Sequence, residues 1–265
     1  MHLELEGKRA IVTGSSTGLG EEIARRLAAE GASVVVHGRD EARAEAVAKT
    51  IREAGGHADV TLGDLGTDEG AEAAVAGALA GGPIDILVNN AGVYDMAATW
   101  ATTSPTAWAD IYNTNVISSV RMIQRLVPAM RERGWGRVIQ ISSVTGRLPQ
   151  ASQPHYAATN AARSNLAASL ARDLRETGVT SNAIAAGGIL VPSVETSLVA
   201  LGRQNGWGET WDEIEPNLIR ALAPNDAGRI GRPGDYAGLV TYLASPAGSY
   251  VNGANLQVDG GWRDA

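Results

Sequence analysis

Thr13-Gly14-Ser15-Ser16-Thr17-Gly18-Leu19-Gly20 lies between a short apolar run at 10–13 and an alanine-rich stretch at 19–30. A strand that enters a helix through such a turn needs glycine where the backbone bends sharply and where it must come close to a pyrophosphate. Free N–H groups at the helix N-terminus then meet the ligand's charge. A glycine triplet alone is common in loops. Here the spacing is Gly-x-x-x-Gly-x-Gly, and Asn89-Asn90-Ala91-Gly92 closes a later apolar run, at the strand ends where an open sheet binds its ligand.

Outward from this turn, short β-branched runs alternate with alanine-rich helical stretches. The pattern predicts strands at 10–13, 33–37, 58–62, 84–89, 137–142, 180–185 and 255–258. It predicts helices at 19–30, 40–54, 68–80, 106–133, about 154–176 and 233–245, with Gly31, Gly55, Gly134 and Gly178 as stops. Such alternation means βαβ units and a parallel sheet covered on both faces, so the whole of 1–265 is expected to be one α/β domain. The exception is 189–232, which holds Pro192, Pro216, Pro224, Trp207 and Trp211 and is expected to be a partly helical excursion over the site.

Composition narrows the function. Apolar residues make up 44% of the 265, enough for a sizeable core, yet no apolar run approaches the roughly 18 residues that span a bilayer. The acidic start lacks a secretory apolar segment, so a cytoplasmic protein without a membrane partner is expected. Having no cysteine excludes disulfides, thiolate nucleophiles and Cys-based zinc sites, and none of the four histidines forms a metal-spaced pair, so no metal is expected. A formal charge of −7 argues against a nucleic-acid surface.

Ser143 and Tyr156 stand thirteen residues apart downstream of the glycine-rich turn. With that turn and the Asn-Asn-Ala-Gly stretch, they make the chain resemble the short-chain dehydrogenase/reductase family over essentially its whole length. The resemblance implies a single-domain Rossmann fold, a dinucleotide cofactor, a small-molecule carbonyl or alcohol substrate, and a homotetramer or homodimer. It implies that Ser143 orients the substrate oxygen, Tyr156 exchanges the proton, and Asn115 holds a water in a proton relay. Around the cofactor it implies Gly14, Ser16, Thr17, Gly18, Leu19 and Gly20 at the pyrophosphate, with Asp64 and Leu65 bordering the adenine. Asn90, Ala91 and Gly92 would line the adenosine ribose, and Tyr156, Asn160, Gly187 and Ile189 would lie near the nicotinamide.

The end of the second strand selects the dinucleotide. NAD sites usually place an acid there for the ribose 2′-hydroxyl, whereas NADP needs room and positive charge. The chain reads His37-Gly38-Arg39, with Gly38 in the acid's place and Arg39 able to fork onto a 2′-phosphate. NADP(H) is therefore favoured over NAD(H), and Asp40 is expected to cap the next helix.

Two positions depart from the family pattern. Asn160 replaces the lysine that binds the nicotinamide ribose and favours tyrosinate, and Val191 replaces a threonine that touches the carboxamide. An amide can keep the hydrogen bonds of the lysine but cannot supply its charge. An unassisted tyrosine ionises near pH ~10, leaving about one phenolate in a thousand at neutrality. His155 and Arg163 are the nearest basic residues, His155 pointing elsewhere and Arg163 expected at an oligomer interface. The reading that fits is an NADPH-dependent reductase of a ketone in a fairly large apolar or aromatic molecule, working in either direction, with Tyr94, Trp100, Leu148, Trp207 and Trp211 as the substrate wall. Two alternatives remain open: a degenerate member that binds the dinucleotide as a sensor or scaffold, and non-redox chemistry as in halohydrin dehalogenases, which put arginine at the lysine position and lose the glycine-rich loop.

Overall fold

The computed structural model describes residues 3–262. Its strands are β1 (Arg9–Val12), β2 (Ser33–Gly38), β3 (His57–Leu62), β4 (Ile86–Asn89), β5 (Gly136–Ser143), β6 (Val179–Ala186) and β7 (Asn255–Val258). They pair in parallel in the order β3-β2-β1-β4-β5-β6-β7. Each overlaps a β-branched run of the sequence, although β4 begins at Ile86 rather than 84.

Successive residues of a strand face opposite sides of a sheet, and here both sides are buried. Ala10, Val12, Val34, Val36, Ile86, Val88, Ile139 and Ile184 join one core with helices α1 (Gly18–Ala29), α2 (Glu41–Glu53) and α9 (Pro233–Ala244). Ile11, Val35, Leu87 and Val138 face the other way, onto α3 (Asp68–Leu79) and α5 (Ser118–Glu132). Burying one Val, Leu or Ile is worth roughly 1.5–3 kcal/mol, so these two layers hold the fold. The chain builds outward from β1 to β3, returns to lay β4 against the free edge of β1, and builds outward again to β7. That reversal leaves a crevice at the carboxyl ends of β1 and β4.

One stretch differs from the sequence expectation. The helix expected over 106–133 is α4 (Pro105–Tyr112), a π-helical turn (Asn113–Ile117) and α5. Such a turn widens the hydrogen-bond ring and releases backbone groups from the regular ladder. The excursion 189–232 folds as α7 (Pro192–Gln204) and α8 (Trp211–Leu222), which share a small core of Leu198, Leu218, Ile219 and Ile230. Trp207 and Trp211 pack against that core and help to join the two helices. Among the described residues no helix is long and apolar enough to cross a membrane.

His37, at the end of β2, ties two loops together. It is 3% exposed, and its Nδ1 accepts the Gly14 N–H at 3.0 Å while Nε2 lies 3.1 Å from the Gly63 carbonyl. Accepting from Gly14 requires a bare Nδ1, so the ring is the neutral tautomer that donates from Nε2. Burial drives its pKa down to about 4, against a weaker opposing effect of the Gly63 hydrogen bond. In the unfolded chain histidine protonates near pH ~6.5. The neutral ring therefore contributes stability that is complete above about pH 6.5 and is lost as the pH falls towards about 4. We expect calorimetric stability to drop by about 3 kcal/mol across that window, with His37→Gln flattening the curve. Parallel curves for the two proteins would remove His37 as the cause.

Candidate active site

The glycine-rich loop is held by residues that the glycine motif does not include. The Thr13 hydroxyl oxygen accepts the N–H groups of Asn90 and Ala91, both at 3.0 Å. In return the Asn90 amide donates to the carbonyls of Thr13 and Gly14 at 2.9 and 3.1 Å. A Cβ on Gly20 would sit 2.5 Å from both the Asn90 amide nitrogen and the Gly14 oxygen. Gly20 is thus glycine because Asn90 fills its side-chain space. Gly14, at φ +63°, comes within 3.0 Å of the Ala91 Cα when given a Cβ. Ser15 is buried and accepts the His37 N–H at 3.0 Å. Thr13, Ser15 and His37 were missed as site residues; their signal was a set of polar side chains at strand ends, where a core would take apolar ones.

The start of α1 is left open. Asp40, Thr67 and Ser104 cap α2, α3 and α4 with their side chains, as the sequence predicts for Asp40, whereas Thr17 makes no such bond. The N–H groups of Gly18, Leu19 and Gly20 therefore face the crevice with the positive end of the helix dipole behind them. At the end of β2, a Cβ on Gly38 would fall 2.9 Å from the Ser16 hydroxyl, so Ser16 occupies the space of a side chain there. Arg39 beyond it is exposed, with no hydrogen bond or ion pair among the described residues. Asp64 is also exposed and accepts the Gly66 N–H at 2.9 Å, as a turn residue does, while Leu65 is buried in the core beneath α3.

On the other side of the crevice, β5 ends in Ser142-Ser143 and leads through a 3-10 turn (Val144–Gly146) to α6 (Pro154–Asp173). The Ser142 hydroxyl donates to the Asn160 carbonyl at 2.9 Å, which anchors the Tyr156–Asn160 turn of α6 to the strand end where Ser143 stands. A Cβ on Gly146 would lie 2.7 Å from the Ala161 nitrogen, so glycine lets the turn press against α6. Ser143 accepts the N–H of Thr145 at 3.3 Å and the Thr145 hydroxyl at 3.1 Å, which leaves its own hydroxyl proton for another acceptor. Asn160 is buried and folds its amide back onto the Tyr156 carbonyl at 2.9 Å.

Asn115 lies in the π-helical turn. Its amide bridges elements, accepting the Val93 N–H at 2.8 Å and donating to the Val93 carbonyl at 2.9 Å and the Thr159 hydroxyl at 3.2 Å. Its backbone carbonyl takes the Nε–H of Arg163 at 2.5 Å. The interface role expected for Arg163 is therefore corrected. The side chain is 4% exposed and turned into its own chain, where Nη1 donates to the Ile141 carbonyl at 2.6 Å and Nη2 to that of Ala91. Burial lowers its pKa to about 10, with the charge of Tyr156 acting in the opposite direction.

The remaining expected residues scatter. Tyr94 meets Tyr156 edge to face, with ring centroids 6.1 Å apart. Trp100 is 72% exposed and leans on Trp108, which in turn covers His155. Leu148 lines a small cavity with Val144, Arg147, Ala185, Asn255 and Gln257, on the β6–β7 side. Gly187 lets the end of β6 approach Asp259, whose Cα would be 2.8 Å from an added Cβ. Ile189 bridges Gly231 through its neighbours' backbone groups, so its own N–H takes no part in that bridge. Val191 reaches over the glycine-rich loop, 3.6 Å from where a Cβ on Gly18 would be.

Comparison with known proteins accords with this geometry. Residues 8–199 match the model of the short chain dehydrogenase family. The chain is 38% identical to the uncharacterized oxidoreductase YvaG of Bacillus subtilis, over 98% of each chain. Its structure is similar to that of a 3-oxoacyl (acyl-carrier-protein) reductase from Agrobacterium tumefaciens with NADP bound, at TM-score 0.88 and 35% identity, over 98% of this chain and 96% of that one. It is also similar to L-sorbose reductase from Gluconobacter frateurii complexed with NADPH and L-sorbose, at TM-score 0.91 and 32% identity, over 98% of both chains. With the seven-stranded sheet and the crevice residues in place, these matches show that the chain belongs to the short-chain dehydrogenase/reductase family of NAD(P)-dependent oxidoreductases.

Proposed function

We propose that the chain is an NADPH-dependent carbonyl reductase that converts a ketone with an apolar or aromatic body to a secondary alcohol, or runs the reverse oxidation. The observation that carries this reading is Ser143. Both Thr145 donors fill its acceptor side, so its own proton is directed to a substrate oxygen. Tyr156, on the α6 turn anchored to the same strand end, is the proton donor.

The cradle fits a phosphorylated dinucleotide. The uncapped start of α1 offers Gly18, Leu19 and Gly20 N–H groups to a pyrophosphate, with Gly14, Ser16 and Thr17 at its border. Gly38 and Ser16 leave no acid at the end of β2, and the unpaired Arg39 suits a 2′-phosphate. Asp64 and Leu65 would border the adenine, Asn90, Ala91 and Gly92 the ribose, and Gly187 and Ile189 the nicotinamide. When bound, the nicotinamide supplies the hydride that reaches the carbonyl carbon. Ser143 holds the oxygen by a hydrogen bond, and Tyr156 gives it a proton as charge develops there.

The substrate preference rests on the loop after β4. Val93, Tyr94, Met96 and Trp100 are exposed along it. The loop is tied to the start of α6 by the Gln153 N–H on the Ala98 carbonyl at 2.8 Å and by the Thr99–Ser152 bridge. An apolar strip whose Tyr94 meets Tyr156 edge to face favours a ketone that can bury hydrocarbon or an aromatic ring against it.

The reading is tested by fluorescence titration with NADPH, then by a panel of aromatic, aliphatic and sugar ketones. Dinucleotide binding without turnover of any ketone would move the assignment to a sensor or scaffold. Arg39→Ala is expected to weaken NADPH about tenfold or more while NADH changes little, since a charge-assisted contact is worth ~1.5–3 kcal/mol. Equal losses for both dinucleotides would show that Arg39 does not select the phosphate. Tyr156→Phe is expected to lower reductase kcat by ~10²–10⁴-fold with NADPH affinity within a few-fold. Full activity in that variant would require a different proton donor.

A further inference from the structure

Arg163 is a buried cation without a carboxylate among its hydrogen-bond partners. Its guanidinium is held by three backbone carbonyls, from Asn115 in the π-helical turn, Ile141 on β5 and Ala91 after β4. A Cβ on Gly92 would lie 3.6 Å from both Nη atoms, an ordinary contact distance, so the guanidinium packs directly against that loop. Carbonyl dipoles take one hydrogen bond from each guanidinium nitrogen but leave a whole charge in a site shielded from water, and a buried charge of this kind calls for a counter-charge. Tyr156 lies seven residues earlier on the same helix, two turns away and on nearly the same face.

We propose that the Arg163 guanidinium supplies the positive charge that stabilises Tyr156 as phenolate, in place of an ammonium at position 160. This rests on reading Tyr156 as the proton donor. In reduction the Tyr156 O–H bond breaks, the new O–H bond of the alcohol forms, and the phenolate left behind recovers its proton from water; Arg163 stays protonated throughout. Arg163 is thus a positioning residue that acts through Tyr156. It also occupies the backbone carbonyl of Asn115, the residue expected to hold a relay water, so that oxygen is taken up by a fixed charge.

Other charges around α6 are few. The π-helical turn, β6 and β7 carry none, and Arg137 enters β5 at the end opposite Ser143. Arg147, after the 3-10 turn, donates to Gln257 at 3.0 Å. Asp110 and Tyr112 lie on α4, Tyr94 stands on the loop after β4, and His155, beside Tyr156 on α6, is covered by Trp108.

The test is an ultraviolet difference titration of the phenolate, each protein minus its Tyr156→Phe counterpart, in wild type, Arg163→Gln and Arg163→Lys with saturating NADP⁺. Gln keeps donors for the carbonyls and removes the charge; Arg163→Met is the second neutral variant should Arg163→Gln fail to fold. The neutral variants are expected to move the Tyr156 midpoint up by about one pH unit, which is tenfold less phenolate at a given pH, and Arg163→Lys by less than half of that. An unchanged midpoint in a folded neutral variant overturns the proposal, as does an equal rise in Arg163→Lys. The titration needs no turnover, so failure to reduce any ketone would sink the reductase reading without touching this result.

Discussion

The site depends on the tie between the ends of β1 and β4, made by the Thr13 hydroxyl and the Asn90 amide. These strands are neighbours only because the chain reverses direction there, and their following loops would otherwise be free to part. Net, each hydrogen bond contributes about 1 kcal/mol, but a buried donor left without a partner costs more. The exchange of four bonds across the reversal therefore sets one loop conformation. Gly14 and Gly20 are consequences of it, since each yields the space that Ala91 and Asn90 occupy. His37 repeats the device one strand further out, joining the same loop to the turn after β3.

The opposite wall follows another constraint, the need to satisfy a buried guanidinium. Arg163 gathers carbonyls from three separate elements, and the π-helical turn is what releases the Asn115 carbonyl to it. The cation thus ties β5, α6 and the loop after β4 to one another. Charge and architecture are coupled here, because the carbonyls that hold the guanidinium also join these elements.

Much of this was legible in the chain itself. The seven strands, the glycine-rich turn and the Asp40 cap follow from local patterns whose physics acts over a few residues. The break of the long helix by the π-helical turn did not, because its sequence, Asn113 to Ile117, carries no proline or glycine to mark it. The packing of Trp207 and Trp211 on the small core was not legible either, because a large aromatic on an irregular stretch has no assigned neighbour until α7 and α8 meet.

Residue types and their spacing determined the family and the parallel sheet, since strand alternation and turn chemistry are local properties. The tertiary structure alone decided where the charges and amides went. Asn160 turned back onto its own helix, Asn90 locked a loop, and Arg163 left the surface for the interior. A long side chain carries its functional group several ångströms from its backbone, and its direction is set by which distant carbonyls the fold brings within reach.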